Sequence, residues 1–198
     1  MHTLITLDDF KAILSLDDRD DKLSQYCLVT ATYTIEQHCL RHLLRKKHFE
    51  ELAFWGDYAI PLTHYPVKNI IAVYAMGNRE WGVGNREIVE PEFYSFIPDS
   101  EEEAETQACL ILSPSVRPSR GEICLMVIYN AGYPVGKVPP DLAYACLELA
   151  TWNMNRYKSR KIGTTGNIRG SGKDGEHFEL SMPENVKALL EPYRRETI

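Results

Sequence analysis

The sequence predicts an α+β fold: mainly a helical bundle, built from an N-terminal helix pair plus C-terminal helices, with a central antiparallel β-sheet or hairpin insertion. Three observations carry this. From Leu7 to Leu43 apolar side chains recur at helical spacing. After Trp55 the texture changes to short β-branched and aromatic runs broken by prolines and polar turns. Beyond "VPPD" at 138–141 helical spacing returns. The reading is a main domain over residues 1–161, with helices 6–16, 21–48 and 140–161 around a β segment 56–133. Residues 162–198 follow as a flexible glycine-rich loop with a short C-terminal helix or arm. A length of 198 residues fits one domain with such an appended arm.

"TLDDFKAILSL" forms the first helix: Thr6 caps it, Asp9 takes the box position, and Leu7, Phe10, Ile13 and Leu14 share a face. "LDDRDD" then places carboxylates at the start of a longer helix, where they suit the dipole. Leu23, Cys27, Ala31, Ile35, Cys39 and Leu43 give that helix its stripe, and the cations of "RKKH" suit its end at His48. "YAIPLTHYPVKNIIAVYAM" carries Pro61 and Pro66, as strand edges and strand starts do. "EIVEPEFYSFI", "ACLILS" and "EICLMVIYNAG" are further strands, spaced as an antiparallel meander. In "YNAGYPVGKVPPDL", Gly132 turns the chain out of a strand, and Pro139, Pro140 and Asp141 start the next helix. Leu142, Cys146, Leu149 and Trp152 form its apolar face. Five glycines in the fifteen residues 163–177 make a loop, and "MPENVKALLEPYRR" a last short helix.

Composition narrows the function. Hydrophobic content of 44% and charged content of 25% describe a globular chain. No apolar run approaches the roughly 20 residues of a membrane span, and the start lacks a signal-peptide pattern, so the expectation is a cytoplasmic product without a membrane partner. Cys27, Cys39, Cys109, Cys124 and Cys146 form no CxxC pair and sit among apolar neighbours, which reads as small buried hydrophobes rather than a zinc site. A net charge of −6 argues against a general nucleic-acid coat. Its distribution is polarised: six acids in residues 8–21, five in 99–105, and six bases with no acid in 156–173.

The chemical constellations fail in turn. Gly132 and Gly136 are separated by three residues, and Lys137 is followed by Val138, so the turn is not a phosphate loop. Two prolines there also remove amide donors. His38 and His42 stand at i and i+4 but lack the glutamate of a metalloprotease helix and a third ligand nearby. Ser113, Ser115 and Ser119 lie among prolines, outside any nucleophile elbow. Neither acid cluster has the ligand spacing of a calcium loop. The reading assigns no catalytic residue, no cofactor and no metal.

The ordered set of "SLDDRDDKLSQYCLVTATYTIE", "IPLTHYPVKNIIAVYA", "FYSF", "VIYNAGYPVGKVPPDLAYACLELATWNMNRYKSR" and "MPENVKALLEPYRR" resembles the phage head-tail connector family, also called head-completion or adaptor proteins. The "YNAGY…VPPDL…W" string is its most specific part. The acidic insertion at 99–105 and the long 163–175 loop depart from the family pattern. The resemblance implies a non-enzymatic virion protein, assembled in the host cytoplasm. It would form a homo-oligomeric ring of about a dozen copies beneath the portal protein, completing the filled head. It would offer a docking surface to the tail or a second head-completion (stopper) protein, and genomic double-stranded DNA would pass through its bore without sequence-specific contact.

A ring needs head-to-tail contacts. Arg156, Lys158, Arg160, Lys161, Arg169, Lys173, Tyr193 and Arg194 are the candidate portal, tail or inter-subunit contacts. Asp17, Asp18, Asp20, Asp21, Glu101, Glu102 and Glu103 form the candidate complementary acidic face. Gly132, Tyr133, Pro139, Pro140, Asp141 and Trp152 are the structural corner. The alternative reading is a cytoplasmic nucleic-acid-binding or DNA-packaging accessory protein that uses the basic 156–173 segment directly.

Overall fold

A computed structural model describes residues 2–57, 59–76, 86–97, 108–115, 121–159 and 182–195. It shows an α+β chain in two compact units. Met1–Leu40 and Val135–Arg194 make the first; Arg41–Pro134 and Arg195–Ile198 make the second.

The first unit is helical. Helix α1 (Leu7–Leu14) begins as expected: the Thr6 hydroxyl accepts the Asp9 amide at 3.1 Å and donates to the Asp9 carboxylate at 2.6 Å. It ends at Ser15 in the left-handed region, with Phe10 buried. Helix α2 (Asp21–Cys39) buries Cys27, Leu28, Ala31, Ile35 and Cys39 along one stripe. Helix α3 (Pro140–Lys158) starts with Pro139 outside and Pro140 at its first position, as proline's fixed φ favours. It buries Leu142, Ala145, Cys146, Leu149, Ala150 and Met154. Helix α4 (Glu184–Leu190) buries Val186 and Leu190 within this unit. The boundary expected near residues 161–162 lies outside the described residues.

The second helix stops well short of His48. Leu40 is left-handed (φ 56°) and closes α2, and Lys46–Phe54 is strand β1. The β region therefore begins ten residues before the expected residue 56. The reason is pairing: β1 lies antiparallel to β7 (Gly121–Ala131), with His48 opposite Tyr129, Glu50 opposite Val127 and Leu52 opposite Leu125. His38 and His42 therefore do not share a helix. The other strands are β2 (Ala59–Pro61), β3 (Val67–Met76), β4 (Arg86–Val89), β5 (Tyr94–Ile97) and β6 (Cys109–Leu112).

All strand pairs are antiparallel, in one sheet of order β1-β7-β3-β4 and another of order β2-β6-β5. This corrects the meander, because β7 pairs between β1 and β3 rather than beside β6. Both sheets feed one core: Val73, Leu125, Val127 and Ala131 from the first, Ile60, Leu110 and Leu112 from the second. Each large aliphatic side chain there contributes about 1.5–3 kcal/mol.

Gly132 has φ +104°, and a Cβ there would lie 2.6 Å from the Leu44 carbonyl carbon and oxygen. The close approach is held by the Tyr133 amide donating to the Leu43 carbonyl (2.7 Å) and the Arg45 amide donating to the Tyr133 carbonyl (2.8 Å).

Candidate assembly surface

The charged residues expected to meet a neighbour divide into three groups. Arg160, Lys161, Arg169, Lys173, Glu101, Glu102 and Glu103 lie outside the described residues. A second group is engaged within its own unit. The Lys158 ammonium lies 2.8 Å from the Asp20 carboxylate, and Lys11 holds Asp18 at 2.5 Å and Asp21 at 2.6 Å. The Lys11 ammonium keeps the Asp18 carboxyl below its usual range, and those two acids raise the Lys11 pKa in turn. Tyr193 is 2% exposed, and its hydroxyl donates to Asp141 at 2.6 Å. Its ring is part of the core and anchors the C-terminal turn. Arg194 and Asp17 are exposed.

Arg156 differs from all of these. Its guanidinium lies 4.5 Å from the Trp152 ring centroid, and it forms no ion pair with a described residue. It lines a cavity of about 210 Å³ in the helical unit, where Leu23, Tyr26 and Cys27 of α2 face Asn153 and Tyr157 of α3. Tyr26 and Tyr157 stand as exposed rims, and buried Cys27 forms the floor. Burial pushes the Cys27 thiol pKa up, so it stays protonated and unreactive at neutral pH. Trp152, expected in the apolar face of α3, is half-buried and stacks with Arg156 instead.

The sequence reading passed over Tyr26 and Tyr157. The signal was present: Tyr26 and Tyr33 repeat at i, i+7 off the buried stripe of α2, and both are more than 60% exposed.

In the sheet unit the polar side chains gather around Tyr129. Its hydroxyl donates to Glu50 at 2.5 Å, and that carboxylate also accepts the Thr63 amide at 3.1 Å and the Thr63 hydroxyl. Burial first, and then the Glu50 charge, raise the tyrosine's pKa. Beside it the His48 and His64 rings stack, with centroids 4.0 Å apart, and His42 lies 5.1 Å from His64. The His64 Nδ1 accepts the His42 amide at 3.1 Å. Burial and the surrounding cations and imidazoles push the His64 pKa down to about 3. Stacked rings do not converge their nitrogens on a point. Among the described residues no group of three or more His, Cys, Asp or Glu is arranged to hold a metal. Nor is any described helix long and apolar enough to cross a membrane.

The chain superimposes on a chain of a structure described as the neck of an empty GTA particle computed with C6 symmetry, at TM-score 0.64 and 19% identity, covering 98% of this chain and 91% of that one. A chain of the virion of the native gene transfer agent particle matches at TM-score 0.61 and 20% identity, with 98% and 91% covered. A chain of the native neck computed with C12 symmetry matches at 0.58 and 19%, with 97% and 89% covered. These likenesses establish a shared fold. No family model matches the chain, and no curated protein does.

Proposed function

We propose that this chain is a structural, non-enzymatic neck protein of a virion or virion-like particle: a head-tail connector that assembles as a ring on the portal. In this reading it completes the DNA-filled head and presents the tail-docking surface, with double-stranded DNA passing through its channel. The observation that carries the proposal is a likeness spanning almost the whole chain to proteins of particle necks, two of them reconstructed with sixfold or twelvefold symmetry. The ordered resemblance in the sequence, from the acidic helix start to "YNAGYPVGKVPPDL", supports it independently. Twelvefold symmetry in the neighbour fits a ring of about a dozen copies. A net charge of −6 suits a conduit that must release its cargo, since each lysine or arginine on a phosphate adds salt-dependent affinity.

The test is to mix the purified chain with the portal ring of its own particle and image the product by electron microscopy. A new ring layer on the portal is the expected result. Absence of that layer, together with steeply salt-dependent binding to free duplex, would replace this reading with that of a DNA-packaging accessory protein.

A further inference from the structure

We propose that Trp55 of one copy seats in the α2–α3 cavity of the next, with Asp57 beside it on Arg156, as the repeating contact between subunits. This deepens the ring reading and rests on it.

The cavity has the dimensions of a protein anchor site. At about 210 Å³ it falls below the roughly 300–1,000 Å³ of small-molecule sites and matches a single large side chain. Its rims are two tyrosines and its charged group is an arginine, the residue types that dominate binding hot spots. Arg156 is already stacked on Trp152, so its guanidinium is oriented before any partner arrives. With no described carboxylate opposite, it calls for one from outside.

A matching knob exists on the same chain. Trp55 sits on the bend between β1 and β2, next to Gly56 at φ +111°, and is 63% exposed. Water gains nothing from an indole held at a turn tip, whereas Tyr26 and Tyr157 would give it aromatic walls. Two residues on, the Asp57 carboxylate has no partner among the described residues. Knob and hole thus pair an aromatic with aromatic rims and an acid with a pre-oriented arginine. Because they lie on different units of one chain, the contact joins unlike surfaces, as a head-to-tail ring requires. A nucleic-acid strand fits less well, because it needs a row of uncommitted cations and Lys158 and Lys11 are taken by Asp20, Asp18 and Asp21.

The experiment places a photo-crosslinking residue at the knob, Trp55→p-benzoylphenylalanine, in the full-length chain at high concentration and in particles. The expected result is a dimer adduct mapping to Leu23–Cys27 or Asn153–Tyr157 of the second copy. In parallel, Asp57→Arg and Arg156→Asp should each weaken self-association, and mixing the two variants should restore it. Trp55→Ala should weaken it roughly 30-fold or more, as loss of a hot-spot anchor does. No dimer adduct, an adduct mapping elsewhere or to DNA, or no rescue on mixing would overturn the contact. Failure of the neck reading is separable. A chain that forms the mapped adduct but never enters particles keeps this contact and loses the neck role, and one in particles with a different adduct does the reverse.

Discussion

Replacing Gly132 with alanine tests the corner that joins the end of β7 to the Leu43–Arg45 segment. Two costs combine. At φ +104° an L-residue is strained by about 1–3 kcal/mol. The new methyl would also lie 2.6 Å from the Leu44 carbonyl, against the roughly 3.5–4.0 Å of a comfortable contact. The Leu44 backbone cannot simply recede, because its neighbours are tied by the Tyr133–Leu43 and Arg45–Tyr133 hydrogen bonds, and the Gly132 amide donates to Pro66 at 2.9 Å. Losing one or two of these adds about 1–2 kcal/mol. The expected destabilisation is therefore about 2–5 kcal/mol. Gly136 is the control. It too has positive φ (+79°), but a Cβ there meets nothing within 4 Å, so Gly136→Ala should cost only the backbone term, about 1–2 kcal/mol. Urea unfolding followed by tryptophan fluorescence would read both. Equal losses in the two variants would refute the close-approach argument and leave Gly132 as an ordinary turn glycine.

Acidification should weaken the sheet unit. His64 is held at a folded pKa of about 3, below the ordinary 6.5, so the unfolded chain takes up its proton first. The resulting stability is intact above pH 6.5 and is lost as pH falls towards 3. At pH 5 the loss is about 1 kcal/mol after discounting for the solvent that reaches this half-buried ring. His64→Gln should flatten that slope, and an unchanged slope would contradict the assignment. Tyr193→Phe should cost about 1 kcal/mol through the lost hydrogen bond to Asp141, measured by thermal unfolding. Lys158→Ala should change stability by less than about 1 kcal/mol, because its pair with Asp20 is solvent-exposed. A larger loss would mean that the pair is structural.

The helical unit was legible because its signals are local. Thr6 with Asp9, the stripe of α2 and the prolines before α3 are read from residues within a few positions of each other. The sheet was legible in its strands but not in its order, since β7 takes its place between β1 and β3 through contacts fifty or more residues apart. β1 was misread for the same reason. "RKKHFEEL" has the charges of a helix end, and only its partner strand shows that His48 and Leu52 point to the core. Of the site, the sequence named Arg156 by its charge. It could not show that Lys158 is already paired, that Tyr193 is buried, or that Tyr26 and Tyr157 frame a cavity, since each depends on which surfaces the fold covers.

The separation of α2 from α3 has a consequence for when the chain becomes competent to assemble. One wall of the cavity belongs to a helix that ends at Cys39 and the other to a helix that begins at Pro140, with strands β1 to β7 synthesised between them. A chain leaving the ribosome therefore carries Trp55 well before its own cavity is complete. If the proposed contact holds, two incomplete chains cannot pair with each other through it, because the receiving cavity needs the last long helix, Pro140–Lys158, in place.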